Sequence, residues 1–266
     1  REEILQTGAQ GEPPEGKVAE HPQLQNSSAS SNKVLVPVGG GKDSIVTLEL
    51  LKKDFDVTAF AINPVPLIKD VIKTASVPAI FVQNIFDPKL FELNQQGFLN
   101  GHVPISAFYA FYSLLTAYLL DIPNVAFSNE RSSSEGNTNY LGHDINHQYS
   151  KTLDFETDLN NYISSPKYFS FLRPLYELQI TKLFSNYPQY FKIFSSCNNN
   201  FKINKNNTLK WCGTCPKCIS TALMLSQFIG KTKITEIMES YPPDLPSNQV
   251  TIDQLTGVSP VKPFEC

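Results

Sequence analysis

Six consecutive residues, Gly39-Gly40-Gly41-Lys42-Asp43-Ser44, separate the apolar run Val34-Leu35-Val36-Pro37-Val38 from the helix-patterned run Ile45-Val46-Thr47-Leu48-Glu49-Leu50-Leu51. Strand, glycines and helix in that order constrain the chain to open with a βα unit. An ordinary βα connection of about 2 to 6 residues has no need of three glycines in a row. Glycine permits positive φ and a close backbone approach, while the following helix directs free N–H groups and its positive dipole end into the same space. An anion is expected there; the alternative is a glycine turn with no ligand. The spacing is neither that of the Walker loop nor that of the dinucleotide fingerprint.

The segment resembles the Ser-Gly-Gly-x-Asp-Ser loop of the PP-loop ATP pyrophosphatases, with Gly39 where that family usually has Ser. Those enzymes cleave ATP between its α and β phosphates, transfer AMP to a substrate oxygen and release pyrophosphate. The resemblance implies that Gly39, Gly40, Gly41 and Ser44 hold the leaving phosphates and that Lys42 neutralises them. Asp43 would order the loop or help hold Mg²⁺. Asn63, which opens the loop after the second strand, joins the nucleotide-binding group.

From Lys33 onward β and helical patterns alternate: strands over 34–38, 57–62, 79–83 and 124–128, helices over 44–53, 66–75, 106–120 and 152–163, and a helical pair after Cys215. Such alternation predicts an α/β fold, a parallel sheet with helices on both faces, of the adenine nucleotide alpha hydrolase-like kind. Its ligands gather outside the carboxyl ends of the strands. The expected organisation is a disordered linker or tail over 1–32, a PP-loop domain over 33–240 including the cysteines, and a C-terminal tail over 241–266. Residues 1–32 are rich in Gly, Pro, Glu, Gln and Ser and poor in aromatics, too little to offset the entropy of ordering. The Asn-rich stretch 198–207 reads as an exposed loop.

With 266 residues, 41% of them hydrophobic, the chain can bury one full α/β core. A net charge of −3 offers no general field for a polyanion, so nucleic acid is not expected as a partner and small-molecule substrates are favoured. The apolar run from Ala107 to Leu120 is shorter than the roughly 20 residues needed to cross a bilayer, so it reads as a helix buried against the sheet, and no membrane association is expected. No signal peptide is visible, and a chain opening with Arg reads as a fragment or a processed form of a cytoplasmic protein.

Cys212-x2-Cys215-x2-Cys218, with Cys197 upstream, places four thiols in one region. A structural Zn²⁺ held by all four is the leading reading, because tetrahedral sites take four cysteines and two-residue spacings let neighbouring thiolates reach one ion. A redox or catalytic thiol role and inert cysteines stay open as alternatives. The segment resembles the four-cysteine cluster of PP-loop enzymes of the deazapurine nitrile synthase kind. Disulfides are disfavoured in a reducing compartment, and Cys266 reads as incidental.

Further segments narrow the resemblance: Ser128-Asn129-Glu130-Arg131-Ser132, Gly142, Asn146-His147-Gln148-Tyr149-Ser150-Lys151, Phe155-Glu156, Arg173-Pro174-Leu175 and Ser196-Cys197-Asn198. They are similar to those of the ATP-dependent UDP-N-acetylmuramoyl-L-alanyl-L-glutamate epimerases of peptidoglycan synthesis, over about 33–227. That family also has a long N-terminal portion, so the resemblance implies the nucleotide-binding C-terminal part. It implies a UDP-linked muramoyl dipeptide as substrate and ATP with Mg²⁺ as cofactors. The terminal L-glutamate would be converted to D-glutamate through an acyl-adenylate, with release of AMP and pyrophosphate. The chemistry answers a physical problem: an ionised carboxylate makes the neighbouring α-proton hard to remove, and adenylation cancels that charge.

Candidate catalytic residues are Glu130, His147 and Lys151. His147 could shuttle the proton or only cap a loop. Glu130 could act as base, hold Mg²⁺ or pair with Arg131. Asn129, Arg131, Asn146, Gln148 and Arg173 are expected to bind substrate, with Lys151 and Arg173 as holders of phosphate or carboxylate. Two other classes share the glycine loop: an enzyme that amidates or thiolates a nucleobase, and a sensor that binds ATP without consuming it.

Overall fold

The computed structural model describes residues 32–99, 103–136, 138–201 and 211–259. The expected tail, apart from Asn32, and Cys266 lie outside the described residues, as do residues 202–210 of the Asn-rich stretch. Strands β1 (Lys33–Pro37), β2 (Asp56–Ile62), β3 (Ala79–Val82) and β4 (Asn124–Phe127) are followed by a hairpin of β5 (Thr138–Tyr140) and β6 (His143–Ile145), then by β7 (Lys167–Ser170). The main sheet is parallel throughout, in the order β3-β2-β1-β4-β7.

Central strands buried on both faces are apolar along their buried length, and β1 is apolar from Val34 to Pro37. Val34, Val36 and Val38 enter one core with Ala59, Ala61 and Ala126, while Leu35 enters the other with Phe60, Ile62, Val125 and Phe127. The first core is covered by α1 (Lys42–Leu51) and α2 (Pro66–Ala75). The second is covered by α4 (Ile105–Leu119), which follows the short exposed α3 (Pro88–Gln95), and by α5 (Leu153–Tyr162). Helices α6 (Glu177–Phe184), α7 (Pro216–Leu225) and α8 (Lys231–Met238) return to the first face through Ile180, Phe184, Ala222, Leu225 and Ile234.

The chain thus steps outward from β1 to β3 with its helices on one face. It comes back to the other side of β1 with α4 on the opposite face. The reversal opens a crevice between the carboxyl ends of β1 and β4, where open α/β sheets take their ligands. Among the described residues no helix is long and apolar enough to cross a membrane.

The structure adds elements to the sequence reading: α3, the β5–β6 hairpin, β7 and α6. It also gives the segment expected as a C-terminal tail a packed beginning. That segment carries α9 (Gln249–Leu255), and buried Asn248 donates from Nδ2 to the carbonyls of Gly213 and Pro242 at 2.8 Å each. Those bonds tie residues 242–248 to the cysteine turn, so the boundary near 240 falls inside a packed unit. The expected loop at 198–207 opens with a short 3₁₀ turn over Asn198–Phe201.

Candidate nucleotide site and cysteine centre

The glycine loop turns directly off β1, and Gly40 is the residue that the turn cannot exchange. Its φ is +82°, and a Cβ there would lie 2.2 Å from Leu67 Cδ2 on α2. Gly41 is the N-cap of α1 with an extended backbone, and a Cβ on it would meet Ser196 Oγ at 3.4 Å. Gly39 has nothing within 4 Å of its Cβ position and lines open space. Ser44 donates to the Gly41 carbonyl at 3.0 Å, and Ser195 N donates to the Gly40 carbonyl at 3.2 Å. The loop is therefore braced by α2 on one side and by residues 195–196 on the other, with the first N–H groups of α1 at its open end.

Lys42 lies beneath this loop, only 2% exposed. Its Nζ donates to Asp43 Oδ1 at 2.7 Å and to Glu177 Oε1 at 2.9 Å. Burial works against its charge; the two carboxylates outweigh burial and hold its pKa above the ordinary lysine value. Glu177, the first residue of α6, had no place in the sequence reading. It reaches the glycine loop because α6 packs on α1.

Glu130 follows β4 across the crevice. It caps the 3₁₀ turn Arg131–Ser134, accepting from Ser132 N and, at 2.6 Å, from Ser132 Oγ. Burial pushes its carboxyl pKa up; the Ser132 hydrogen bonds oppose that, and the charges of Glu177 and Asp43 add to the rise. Lys151, in the turn that precedes α5, donates to Gln148 Oε1 at 2.7 Å. Its pKa is lowered to about 8, first by burial and then by the like charge of Lys217, against the pull of Asp43, Glu130 and Glu177. Lys217, on the first turn of α7, is the second residue of this site absent from the sequence reading. Three carboxylates and three ammonium groups thus share one field at the mouth of the crevice.

The remaining candidates are held by the protein itself. Arg173 is the central tie. Its Nη1 donates to Glu130 O, Ser133 Oγ and Ser134 Oγ, and its Nη2 to Lys151 O, Ser170 Oγ and Glu156 Oε2, at 2.8 to 3.3 Å. With both terminal nitrogens so engaged, Arg173 locks the Glu130 and Lys151 turns together rather than offering a fork to substrate. Asn129 donates to Ser170 Oγ at 3.0 Å. Asn146 donates to Ser133 O and accepts from Gln148 N, each at 2.8 Å. Arg131 is exposed, its guanidinium 5.2 Å from the centroid of the Tyr176 ring. Asn63, at φ 45°, clamps the backbone of Asn84 through two 2.8 Å bonds, which engage the side chain expected at the nucleotide. His147 is half-buried between β6 and the Lys151 turn.

Cys197, Cys212, Cys215 and Cys218 meet on the far side of residues 195–196. Their sulfur atoms all lie within 4.8 Å of one another, with Cys215 and Cys218 at 3.4 Å and Cys212 and Cys218 at 3.7 Å. A tetrahedral ion with Zn–S bonds of about 2.3 Å separates its sulfurs by about 3.8 Å. Four free thiols at these separations fit one ion. The tight contact with Cys218 stabilises the Cys215 thiolate, lowering its pKa to about 4, while the same contact pushes Cys218 up. The gap between Cys197 and Cys212 is closed by the fold: Cys197 is fully buried, one residue beyond the strip that braces the glycine loop.

A family model described as the MurL N-terminal domain matches residues 4–171, and one described as the MurL C-terminal domain matches residues 193–266. The glycine loop lies in the first match and all four cysteines of the cluster in the second. A protein of Salinispora tropica, named UDP-N-acetyl-alpha-D-muramoyl-L-alanyl-L-glutamate epimerase, is 38% identical over 242 residues, covering 87% of this chain and 52% of that protein. A protein of Xanthomonas oryzae pv. oryzae with the same name is 37% identical over 239 residues, covering 87% and 53%. The chain spans about half the length of these curated relatives. Among solved structures, the U34-tRNA thiolase NcsA from Methanococcus maripaludis, with its [4Fe-4S] cluster, is similar at a TM-score of 0.42 and 12% identity, covering 80% of this chain and 72% of that one.

Proposed function

The chain belongs to the MurL family, and from that premise we propose that it binds ATP at the glycine loop and serves an ATP-dependent inversion of the terminal L-glutamate of UDP-N-acetylmuramoyl-L-alanyl-L-glutamate. The observation that carries the reading is the glycine loop at the crevice between β1 and β4: Gly40, at positive φ, packs against Leu67, and Gly39 beside it leaves its backbone open toward a ligand. The names of the relatives supply the substrate.

In this reading the free N–H groups of α1 and the bare backbone of Gly39 to Gly41 receive the β and γ phosphates. Asp43 and Glu177 each give Lys42 one oxygen, leaving Oδ2 and Oε2, which with Glu130 make a hard oxygen set suited to Mg²⁺. Bound there, Mg²⁺ would neutralise phosphate charge as pyrophosphate departs. The substrate carboxylate attacks the α phosphorus and becomes an acyl-adenylate, an activated ester whose α-proton a modest base can take. Glu130 and His147 are the candidate bases. Glu130 is favoured for the first removal because burial and its acidic neighbours raise its basicity. Reprotonation on the opposite face and hydrolysis would release D-glutamyl product and AMP. The four cysteines would hold a structural Zn²⁺ that fixes α7 against the glycine loop.

The test uses the full-length parent with substrate, ATP and Mg²⁺. AMP and pyrophosphate should form together with product whose hydrolysed glutamate is the D-enantiomer, deuterated at the α-carbon in D₂O. ATP consumption with only L-glutamate recovered would reject the epimerase reading and leave the wider pyrophosphatase class.

A further inference from the structure

Within the run Gly39 to Ser44 the only hydroxyl is that of Ser44, because the three glycines carry no side chains. That hydroxyl is engaged inside the loop, where Ser44 Oγ donates to the Gly41 carbonyl at 3.0 Å. The cation of the run is engaged as well, since Lys42 Nζ bonds Asp43 at 2.7 Å and Glu177 at 2.9 Å. From its own residues the loop offers a phosphate chiefly the free N–H groups at the start of α1.

A distant segment brings a further donor to the same place. Along residues 195–197 burial alternates: Ser195 and Cys197 are buried, and Ser196 between them is half-buried. Ser195 is held on two sides. Its N–H donates to Gly40 O at 3.2 Å, and its Oγ accepts from Cys197 N at 3.1 Å and from Asn200 Nδ2 at 2.6 Å. Cys197 is held in turn by the cluster of four sulfurs. Ser196 turns the other way, toward the loop, and its Oγ lies 3.4 Å from the Cβ position of Gly41.

That position has a specific meaning. Gly41 is the N-cap of α1, and no side chain caps the helix. An N-cap side chain starts at Cβ and aims its oxygen at the N–H groups of the second and third helical residues, here Asp43 and Ser44. Ser196 Oγ therefore borders the space in front of those two N–H groups. Among the described residues its hydroxyl has no hydrogen-bond acceptor, while the neighbouring Ser195 and Ser44 hydroxyls are both bonded. Two helix N–H groups and one hydroxyl, all donors, converge on a single space, and an oxyanion is the ligand that satisfies them together.

We propose that Ser196 is a phosphate-binding residue of this site, its hydroxyl donating to the phosphoryl group that the first N–H groups of α1 receive. The cysteine centre shares in that contact, because it holds Cys197 and so fixes the residue before it. The proposal rests on the nucleotide-binding reading above.

The first test uses the unaltered chain. In backbone amide NMR, saturation with pyrophosphate should shift the Ser196 amide together with those of Asp43 and Ser44. Shifts at Asp43 and Ser44 with Ser196 unmoved would overturn the contact. The second test is calorimetry with ATP, pyrophosphate and adenosine on Ser196→Ala and Ser196→Thr, with metal content and melting checked. Ser196→Ala should keep the wild-type Tm and metal content and weaken ATP and pyrophosphate roughly 10- to 100-fold, the size of one lost hydrogen bond to a charged group. Adenosine, which has no phosphate, should bind as in the wild type, and Ser196→Thr should recover most of the loss. Equal ATP affinity in wild type and Ser196→Ala refutes the contact while leaving nucleotide binding intact, and an equal loss for adenosine assigns the effect to a distorted loop and refutes it too. Absence of ATP binding by the wild type refutes the underlying reading itself.

Discussion

Replacing Gly40 with alanine tests the loop at the atom that defines it. A β-carbon at φ +82° costs about 1–2 kcal/mol in backbone strain. The new methyl would also lie 2.2 Å from Leu67 Cδ2, inside a core that tolerates an inserted methyl at a cost of about 1–3 kcal/mol. Together Gly40→Ala should destabilise the fold by about 2–5 kcal/mol, which at about 2–4 °C per kcal/mol lowers Tm by about 4–20 °C. Gly39→Ala is the internal control, since nothing lies within 4 Å of its Cβ position, and it should cost less than about 0.5 kcal/mol. Leu67→Ala removes the colliding atom, so its cost in the Gly40→Ala background should be smaller than in wild type by about 1–3 kcal/mol. Urea unfolding of the four proteins gives the cycle directly. If Gly40→Ala melts with Gly39→Ala and the cycle closes additively, the loop is not packed on α2 as described and the placement of its backbone at the crevice fails.

Arg173→Met should destabilise by about 3–5 kcal/mol, because Glu156 and five backbone or hydroxyl acceptors around it lose a buried cation; Arg173→Lys should restore less than half, as measured by chemical unfolding. Lys151 loses its proton near pH 8 in the folded chain and near 10.5 when unfolded. The unfolded chain therefore binds more protons between those values, and stability from this residue rises with pH across that window. Lys151→Met should abolish that rise in Tm-against-pH scans. In the wild type, ATP affinity should fall as pH climbs through about 8. A chelator should lower Tm, and elemental analysis of protein purified under reducing conditions should find one zinc per chain, lost in Cys215→Ser. His147→Ala in the full-length parent should retain AMP formation and slow inversion, read by chiral analysis of the glutamate.

The long apolar and strongly periodic segments were legible one residue at a time. Val34 to Val38 and Val57 to Ile62 carry their strand identity in composition, and Gly39 to Gly41 announce a turn that only glycine makes easily. The segments that escaped are short and mixed. Strand β7 is four residues, Lys167-Tyr168-Phe169-Ser170, and becomes a strand because β4 offers it a parallel edge. Helix α6 had a signal in its first turn, where Gln179 Oε1 accepts from Tyr176 N at 2.8 Å, but Tyr176 is no ordinary cap residue. The hairpin of β5 and β6 is exposed on every residue, so no alternation of apolar and polar residues marked it.

By itself the sequence determined the local facts: a parallel α/β domain, a glycine loop at the end of its first strand, and a four-cysteine cluster after its last. Each follows from residue chemistry over a few positions, where φ freedom, side-chain period and thiol spacing act without long-range help. Only the tertiary structure decided who faces whom. Glu177 lies 135 positions from Lys42 and bonds it because α6 docks on α1. Arg173 has both terminal nitrogens drawn into the turns around Glu130 and Lys151. Charge is the property that sequence leaves most open: whether an ammonium is matched, buried or free depends on neighbours that the chain brings together only when it folds.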